Sequence, residues 1–269
     1  MEKGSLIFIG LGLHDEKDIS LKGLEEINNC EKIFAEFYTA KLTGTNIQKI
    51  EKTIGKKIKI LNREETEKGD ILLDSAEKQK TVFLTSGDPM TATTHIDIRI
   101  QAIKKGIKTH IIHGSSIVTA VSSLLGLQNY KFGRTTTLAY PEKEYFPTSP
   151  YDVIKANKKM ALHTLVLLDI QADKNRFMTA NEGLKFLLEI EEKKQEKILT
   201  KDSIACVVAR AGSKNNVVKA GLVKDLIEME FGDPLHSIVI PGGLHFMEIE
   251  ALTVLAQLPA YLGEKLQKI

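Results

Sequence analysis

The sequence predicts an α/β protein of two domains, the first built on a mostly parallel sheet and the second on a mixed one. Three observations carry this. Apolar runs of strand length end in glycine, serine or Asp-Pro turns and are followed by stretches with helical spacing, the pattern of buried parallel strands joined by helical crossovers. The 269 residues amount to about two domains at roughly 150 residues each. Tyr140 to Pro150 holds three of the seven prolines and interrupts both periodicities. It separates a first domain of residues 1–140 from a second of 151–269, with 141–150 as a linker or a loop over a cleft.

Taken in order, Leu6 to Ile9 is a continuous apolar run closed by Gly10-Leu11-Gly12, as in a strand buried on both faces. Ser20 caps a helix that carries Leu21, Leu24 and Ile27. Ile33 to Tyr38 is a second strand and Ile58 to Leu61 a third, with a short helix through Ile47, Ile50 and Ile54 between them. Leu72, Leu73 and Ala76 mark a helix, and the strand Thr81 to Thr85 stops at the turn Gly87-Asp88-Pro89. A helix from about Thr94 to Lys105 leads into the strand His110 to His113, after which Gly114-Ser115-Ser116 opens a helix through Ala120 to Leu125. In the second domain, strands His163 to Ile170 and Ile204 to Ala209 flank the helix Ala180 to Lys194. Val217 to Val223 follows Gly212-Ser213 as a hairpin partner, so the sheet is mixed, and Ser237 to Ile240 adds a strand. A final helix from about Leu244 to Leu266 bends at Pro259.

Composition excludes several function classes. The formal net charge is +2, too small for a global field that recruits nucleic acid or a membrane. Trp is absent and aromatics make up 6%, which disfavours stacking platforms for single strands. No apolar run reaches the roughly 20 residues of a membrane span, and the first residues lack a signal-peptide pattern, so a cytoplasmic home is expected. Cys30 and Cys206 sit in apolar runs as small buried hydrophobes. The seven histidines form no zinc-type cluster, so no catalytic metal is expected. Neither a Gly-x-Ser-x-Gly elbow nor a Walker loop is present.

Three stretches of the first domain can carry chemistry. FIGLGL at 8–13 lacks the third glycine of a dinucleotide fingerprint, Asp15 standing in its place, so it is either a tight strand-to-helix turn or a close backbone approach to a ligand. Asp88 in the Gly-Asp-Pro turn either accepts hydrogen bonds from a ribose diol or an ammonium, or closes an Asx turn on its own backbone. Gly114-Ser115-Ser116-Ile117 offers hydroxyls and N–H groups at a helix start, for an anion or for plain capping. In the second domain Arg210 and His236 have bland readings as well, a surface ion pair and a capping or packing histidine.

The ordered set FIGLGL (8–13), AEFYT (35–39), GDPMTATTH (87–95), IHGSSI (112–117), NYKFG (129–133), FPTSPYDVIKAN (146–157), HTLVLLDI (163–170), ARAG (209–212), FGDPLH (231–236) and LHFMEIE (244–250) resembles the diphthine synthase family of the tetrapyrrole methylase superfamily, over nearly the whole chain. The resemblance implies two α/β domains of the tetrapyrrole methylase type, with S-adenosyl-L-methionine in the cleft between them and a homodimer. It implies methylation of the amino group of a 2-(3-amino-3-carboxypropyl)histidine on translation elongation factor 2, three times in archaeal members, leaving S-adenosyl-L-homocysteine. Carried over by position, the cofactor contacts are Leu13, Asp88, Thr91, Ser116 and Ile117 in the first domain and Leu168, Ala211 and His236 in the second. Thr91, where relatives often have valine, points to a backbone contact. Lys131, Arg134, Arg176 and Arg210 are candidates for the acceptor's carboxylate, and no residue stands out as a general base. The rivals are a methyltransferase of the same superfamily acting on a tetrapyrrole precursor or ribosomal RNA, and a dinucleotide-dependent oxidoreductase.

Overall fold

Continuous apolar runs become strands covered on both faces in the computed structural model, which describes residues 4–38, 40–142 and 146–267. Thr39 of the AEFYT motif and residues 143–145 of the proline-rich stretch lie outside the described residues. In chain order the elements are β1 (Ser5–Gly10), α1 (Leu21–Asn28), β2 (Lys32–Glu36), α2 (Ile47–Ile54), β3 (Lys59–Ile60), α3 (Arg63–Lys68), α4 (Asp70–Lys78), β4 (Lys80–Thr85), α5 (His95–Lys104), β5 (Lys108–Ile112) and α6 (Ile117–Leu125). They continue as β6 (Thr136–Leu138), α7 (Ser149–Lys159), β7 (Thr164–Leu168), β8 (Ile170–Gln171), β9 (Arg176–Phe177), α8 (Ala180–Lys194), β10 (Ile204–Ala209), β11 (Val217–Leu222), α9 (Val223–Leu226), β12 (His236–Ile240), α10 (Phe246–Leu255) and α11 (Ala260–Gln267). Two compact units result, one running to Ile117 and including Ile170–Asn175, the other made of Val118–Asp169 and the described chain from Arg176 on.

The first unit is a parallel sheet in the order β3-β2-β4-β1-β5. Alternate residues of β1 serve opposite faces: Ile7 and Ile9 pack with Ile27, Ile33 and Ile50, while Leu6 and Phe8 pack with Leu72, Phe83 and Ile98. That is why the run reads as unbroken hydrophobe. Ser20 caps α1 by accepting from the Gly23 N–H at 3.0 Å, as expected. Strand β5 begins at Lys108 and ends at Ile112, which leaves His113 beyond it.

At the C-terminal end of this sheet β1 lies between β4 and β5, and the chain turns within backbone contact of both neighbours. A Cβ on Gly10 would stand 2.4 Å from the Gly87 carbonyl oxygen and 2.6 Å from the Gly114 nitrogen. Gly12 and Gly87 exchange a pair of backbone hydrogen bonds, 3.3 Å from the Gly12 N–H and 2.7 Å from the Gly87 N–H. Both glycines have φ near +75°, at 79° and 72°, a region L side chains rarely adopt.

The second unit is a mixed sheet, β11-β10-β12-β7-β6, antiparallel except for the β6–β7 pair. Its core gathers Leu138, Tyr151, Ile154, Val166, Leu184, Leu187, Val207 and Ile238. The described part of the proline-rich stretch lies within this unit and leads into α7, with Pro150 in the first turn and Tyr151 donating its hydroxyl to Glu191 at 2.7 Å. The single bent C-terminal helix expected from sequence is instead two helices, α10 and α11. The Pro259 ring cannot continue the ladder, and Leu258 closes α10 by donating back to the Leu252 carbonyl.

A buried polar cluster ties four segments of the second unit together. Fully buried Glu248 accepts from the Gln128 and His245 N–H groups and from His163 Nε2, each at 2.9 Å, and from Lys131. His163 Nδ1 accepts from the Gly242 N–H at 3.0 Å, so the proton toward Glu248 is on Nε2. Burial raises the Glu248 carboxyl, but these donors outweigh it and bring its pKa down to about 2.

Two outcomes follow. Gly10→Ala is expected to cost on the order of 1–3 kcal/mol in urea unfolding, because the atoms it meets are backbone and cannot rotate away. Glu248 has a folded pKa below its ordinary 4.5, so its contribution is complete above that value and is lost as the pH falls toward about 2. Unfolding free energies measured across that window should drop by roughly 3 kcal/mol more in the wild type than in Glu248→Gln, which at neutral pH should itself be about 3–5 kcal/mol less stable.

Candidate functional site

The glycine junction places five of the eight expected contact residues around one end of the first sheet: Leu13 after β1, Asp88 and Thr91 after β4, and Ser116 and Ile117 after β5. Ligands of open α/β sheets bind at such carboxyl ends. The two readings of Asp88 divide between its oxygens. Oδ1 closes the Asx turn, accepting from the Met90 N–H at 3.0 Å and the Thr91 hydroxyl at 3.1 Å. Oδ2 lies 2.7 Å from His113 Nδ1. Burial raises the Asp88 carboxyl, yet these three bonds outweigh it, so it titrates below the ordinary carboxylate range and is ionised at neutral pH. A carboxylate has about four lone-pair sites, and three are filled, so one acceptor site remains for a hydroxyl or ammonium.

Other expected contacts are partly committed. The Leu13 N–H donates to Asp18 Oδ2 at 3.1 Å, so a contact there runs through its carbonyl or its side chain. The Thr91 hydroxyl is held by Asp88. His113 was missed by sequence reasoning. It lies 25 positions from Asp88, and nothing in either segment signals their pairing.

In the second unit, register brings the other three residues to one end of the sheet. Ala209 pairs with His236 and Leu167 with Ser237, so Leu168, Ala211 and His236 cluster where β7 and β10 end and β12 begins. His236 is a capping histidine: Nδ1 accepts from the Ala180 N–H at the start of α8 at 3.1 Å, and Nε2 lies 3.1 Å from the Asp233 carbonyl. Burial lowers its pKa and keeps the ring neutral at physiological pH. Among the described residues Arg210 forms no ion pair. Its guanidinium donates to the carbonyls of Phe231 at 2.5 Å, Asp233 at 2.7 Å and Asn215 at 3.1 and 3.2 Å, riveting the ARAG loop to the FGDPLH loop. Lys131 is bound to Glu248 and the Gly243 carbonyl, and Arg176 lies over the Tyr140 ring at 3.4 Å. Among the four cationic candidates for an acceptor carboxylate, Arg134 and Arg176 are exposed, and Arg176 is stacked on the Tyr140 ring.

Residues 5–227 match the family model of Tetrapyrrole (Corrin/Porphyrin) Methylases. The chain is 55% identical over 255 residues to the diphthine synthase of Methanocaldococcus jannaschii, covering 94% of this chain and 99% of that one. It is 54% identical over 251 residues to the diphthine synthase of Methanococcus maripaludis strain C5, covering 93% and 98%. A crystal structure of diphthine synthase superposes with a TM-score of 0.88 at 40% identity, covering 96% of this chain and 98% of the other. The glycine turns, the parallel first sheet and the mixed second sheet are thus those of a known enzyme class, and the chain belongs to the diphthine synthase family of methyltransferases within the tetrapyrrole methylases.

Proposed function

We propose that the protein transfers methyl groups from S-adenosyl-L-methionine to the amino group of a 2-(3-amino-3-carboxypropyl)histidine on translation elongation factor 2, up to three times, as a cytoplasmic homodimer. The observation that carries this reading is the junction of β1, β4 and β5 with the ionised Asp88 above it, in a chain that matches diphthine synthases almost end to end. The donor set fits the molecule: one free acceptor site on Asp88 suits a ribose hydroxyl or an ammonium, and the turn before α6 offers N–H groups to a carboxylate.

Bound S-adenosylmethionine supplies a methyl group on a sulfonium, so that the amine's lone pair forms the C–N bond as the C–S bond breaks and its electrons leave on sulfur. The residues' part is positioning. Asp88 holds the donor through its charge, and Leu13, Thr91, Ser116 and Ile117 shape the rim around it. Leu168, Ala211 and His236 contribute on this reading through backbone and apolar surface, since the His236 ring is engaged in capping. The acceptor resembles a free α-amine, whose pKa of about 8 leaves a useful neutral fraction at neutral pH. Orientation then supplies roughly 7–11 kcal/mol of the barrier reduction without a dedicated base. Each product ammonium must lose a proton, to solvent, before the next transfer.

Mass spectrometry of elongation factor 2 carrying the precursor side chain, before and after incubation with enzyme and S-adenosylmethionine, tests the reading. It predicts mass gains in one-methylene steps on that histidine; no gain, or methylation elsewhere, contradicts it. Asp88→Asn, which keeps the shape and removes the charge, is expected to weaken S-adenosylhomocysteine binding about 10- to 100-fold by calorimetry, the range of a charged hydrogen bond.

A further inference from the structure

Beneath the Gly-Asp-Pro turn lies a buried polar group that the site described so far does not use. Phe34 of β2 and Phe83 of β4 face the same side of the first sheet, and two residues on, in register with each other, come Glu36 and Thr85. His95, the first residue of α5, packs edge-on against Phe83 with ring centroids 5.0 Å apart. His95 and Glu36 are fully buried and Thr85 nearly so. His95 Nδ1 lies 3.0 Å from the Pro89 carbonyl oxygen, and its Nε2 lies 3.8 Å from Glu36 Oε1 without a hydrogen-bond partner. Thr85 Oγ1 is likewise unpartnered.

A carbonyl only accepts, so Nδ1 must carry the proton. Burial lowers the His95 pKa, with Glu36 pulling the other way, and the net lowering leaves the ring neutral with Nε2 as a bare acceptor. An unpaired polar atom in a core is unfavourable, and an apolar side chain would avoid it. The one bond that sets His95 apart is therefore that to Pro89. The turn's other carbonyls are held by its own neighbourhood, Gly87 by the Gly12 N–H and Asp88 by the Thr91 N–H. Proline has no N–H of its own, which leaves the Pro89 carbonyl as the peptide group by which α5 grips the turn.

We propose that His95 is a positioning residue of the donor site: its Nδ1–H fixes the Pro89 carbonyl and thereby sets the orientation in which the turn presents Asp88. This rests on the reading that Asp88 holds the methyl donor, and it assigns a proton to His95 Nδ1.

Calorimetric binding of S-adenosylhomocysteine to the wild type, His95→Asn and His95→Gln tests it. Asn keeps a donor near the Nδ1 position, whereas Gln comes closer to histidine in volume but carries its donor one carbon farther out. Positioning through Nδ1 predicts that Asn binds within about threefold of the wild type and that Gln weakens binding about tenfold, the worth of one neutral hydrogen bond. A packing role predicts the reverse order, and that order overturns the proposal. A wild type that binds no S-adenosylhomocysteine overturns the donor-site reading and this inference with it, whereas wild-type binding with both variants unchanged overturns this inference alone. Should the Gln variant fail to fold, ¹⁵N-histidine spectra of the wild-type protein decide: a proton on Nδ1 of His95 supports the assignment, and a proton on Nε2 overturns it.

Discussion

Three parallel strands end so close together that their turns touch backbone to backbone, and the first unit is organised around that contact. Gly10 sits against the Gly87 carbonyl and the Gly114 nitrogen, in space no side chain can enter. Because the turns after β1 and β4 are also hydrogen-bonded to each other, neither can shift without the other. The Gly-Asp-Pro turn is thus held at one side by backbone pairing and at another by the Asx turn of Asp88 and its link to His113. A rigid turn of this kind presents an ionised carboxylate without reorganisation when a ligand arrives, which is what transfer by positioning requires.

The charged and imidazole groups of the second unit do structural work instead. Arg210 and His236 join loops and cap a helix, and Lys131, His163 and Glu248 form a closed buried network. Among the described residues, these groups are committed to holding the fold together. This is compatible with the proposed transfer to an amine that is partly neutral at physiological pH, a reaction that alignment alone can accelerate.

Much of this was legible in the sequence where a single local rule decides. Buried strands with glycine stops, the Ser20 cap and the hairpin of β10 and β11 follow from apolar runs and turn residues. Helix α3, REETEK, was hidden because it shows no apolar period, although its Asn62–Glu65 capping box was there to be read. The three-residue strand β6 is too short for any periodicity, and α7 was obscured by the prolines that in fact open it. The candidate site residues came from family resemblance, whereas the partnerships of His113 with Asp88 and of His95 with Pro89 depend on tertiary proximity that no local pattern encodes. For Arg210 the sequence suggested a surface ion pair; its true partners are backbone carbonyls, which leave no trace in residue identity.

The central claim is that the glycine junction and Asp88 form the seat of the methyl donor. A crystal structure with S-adenosylhomocysteine bound tests it most directly. The account predicts the nucleoside or amino-acid end of that molecule at the C-terminal ends of β1, β4 and β5, with a hydroxyl or ammonium within hydrogen-bond distance of the Asp88 carboxylate. Density elsewhere on the chain, with no contact to the Asp88 carboxylate, would contradict it.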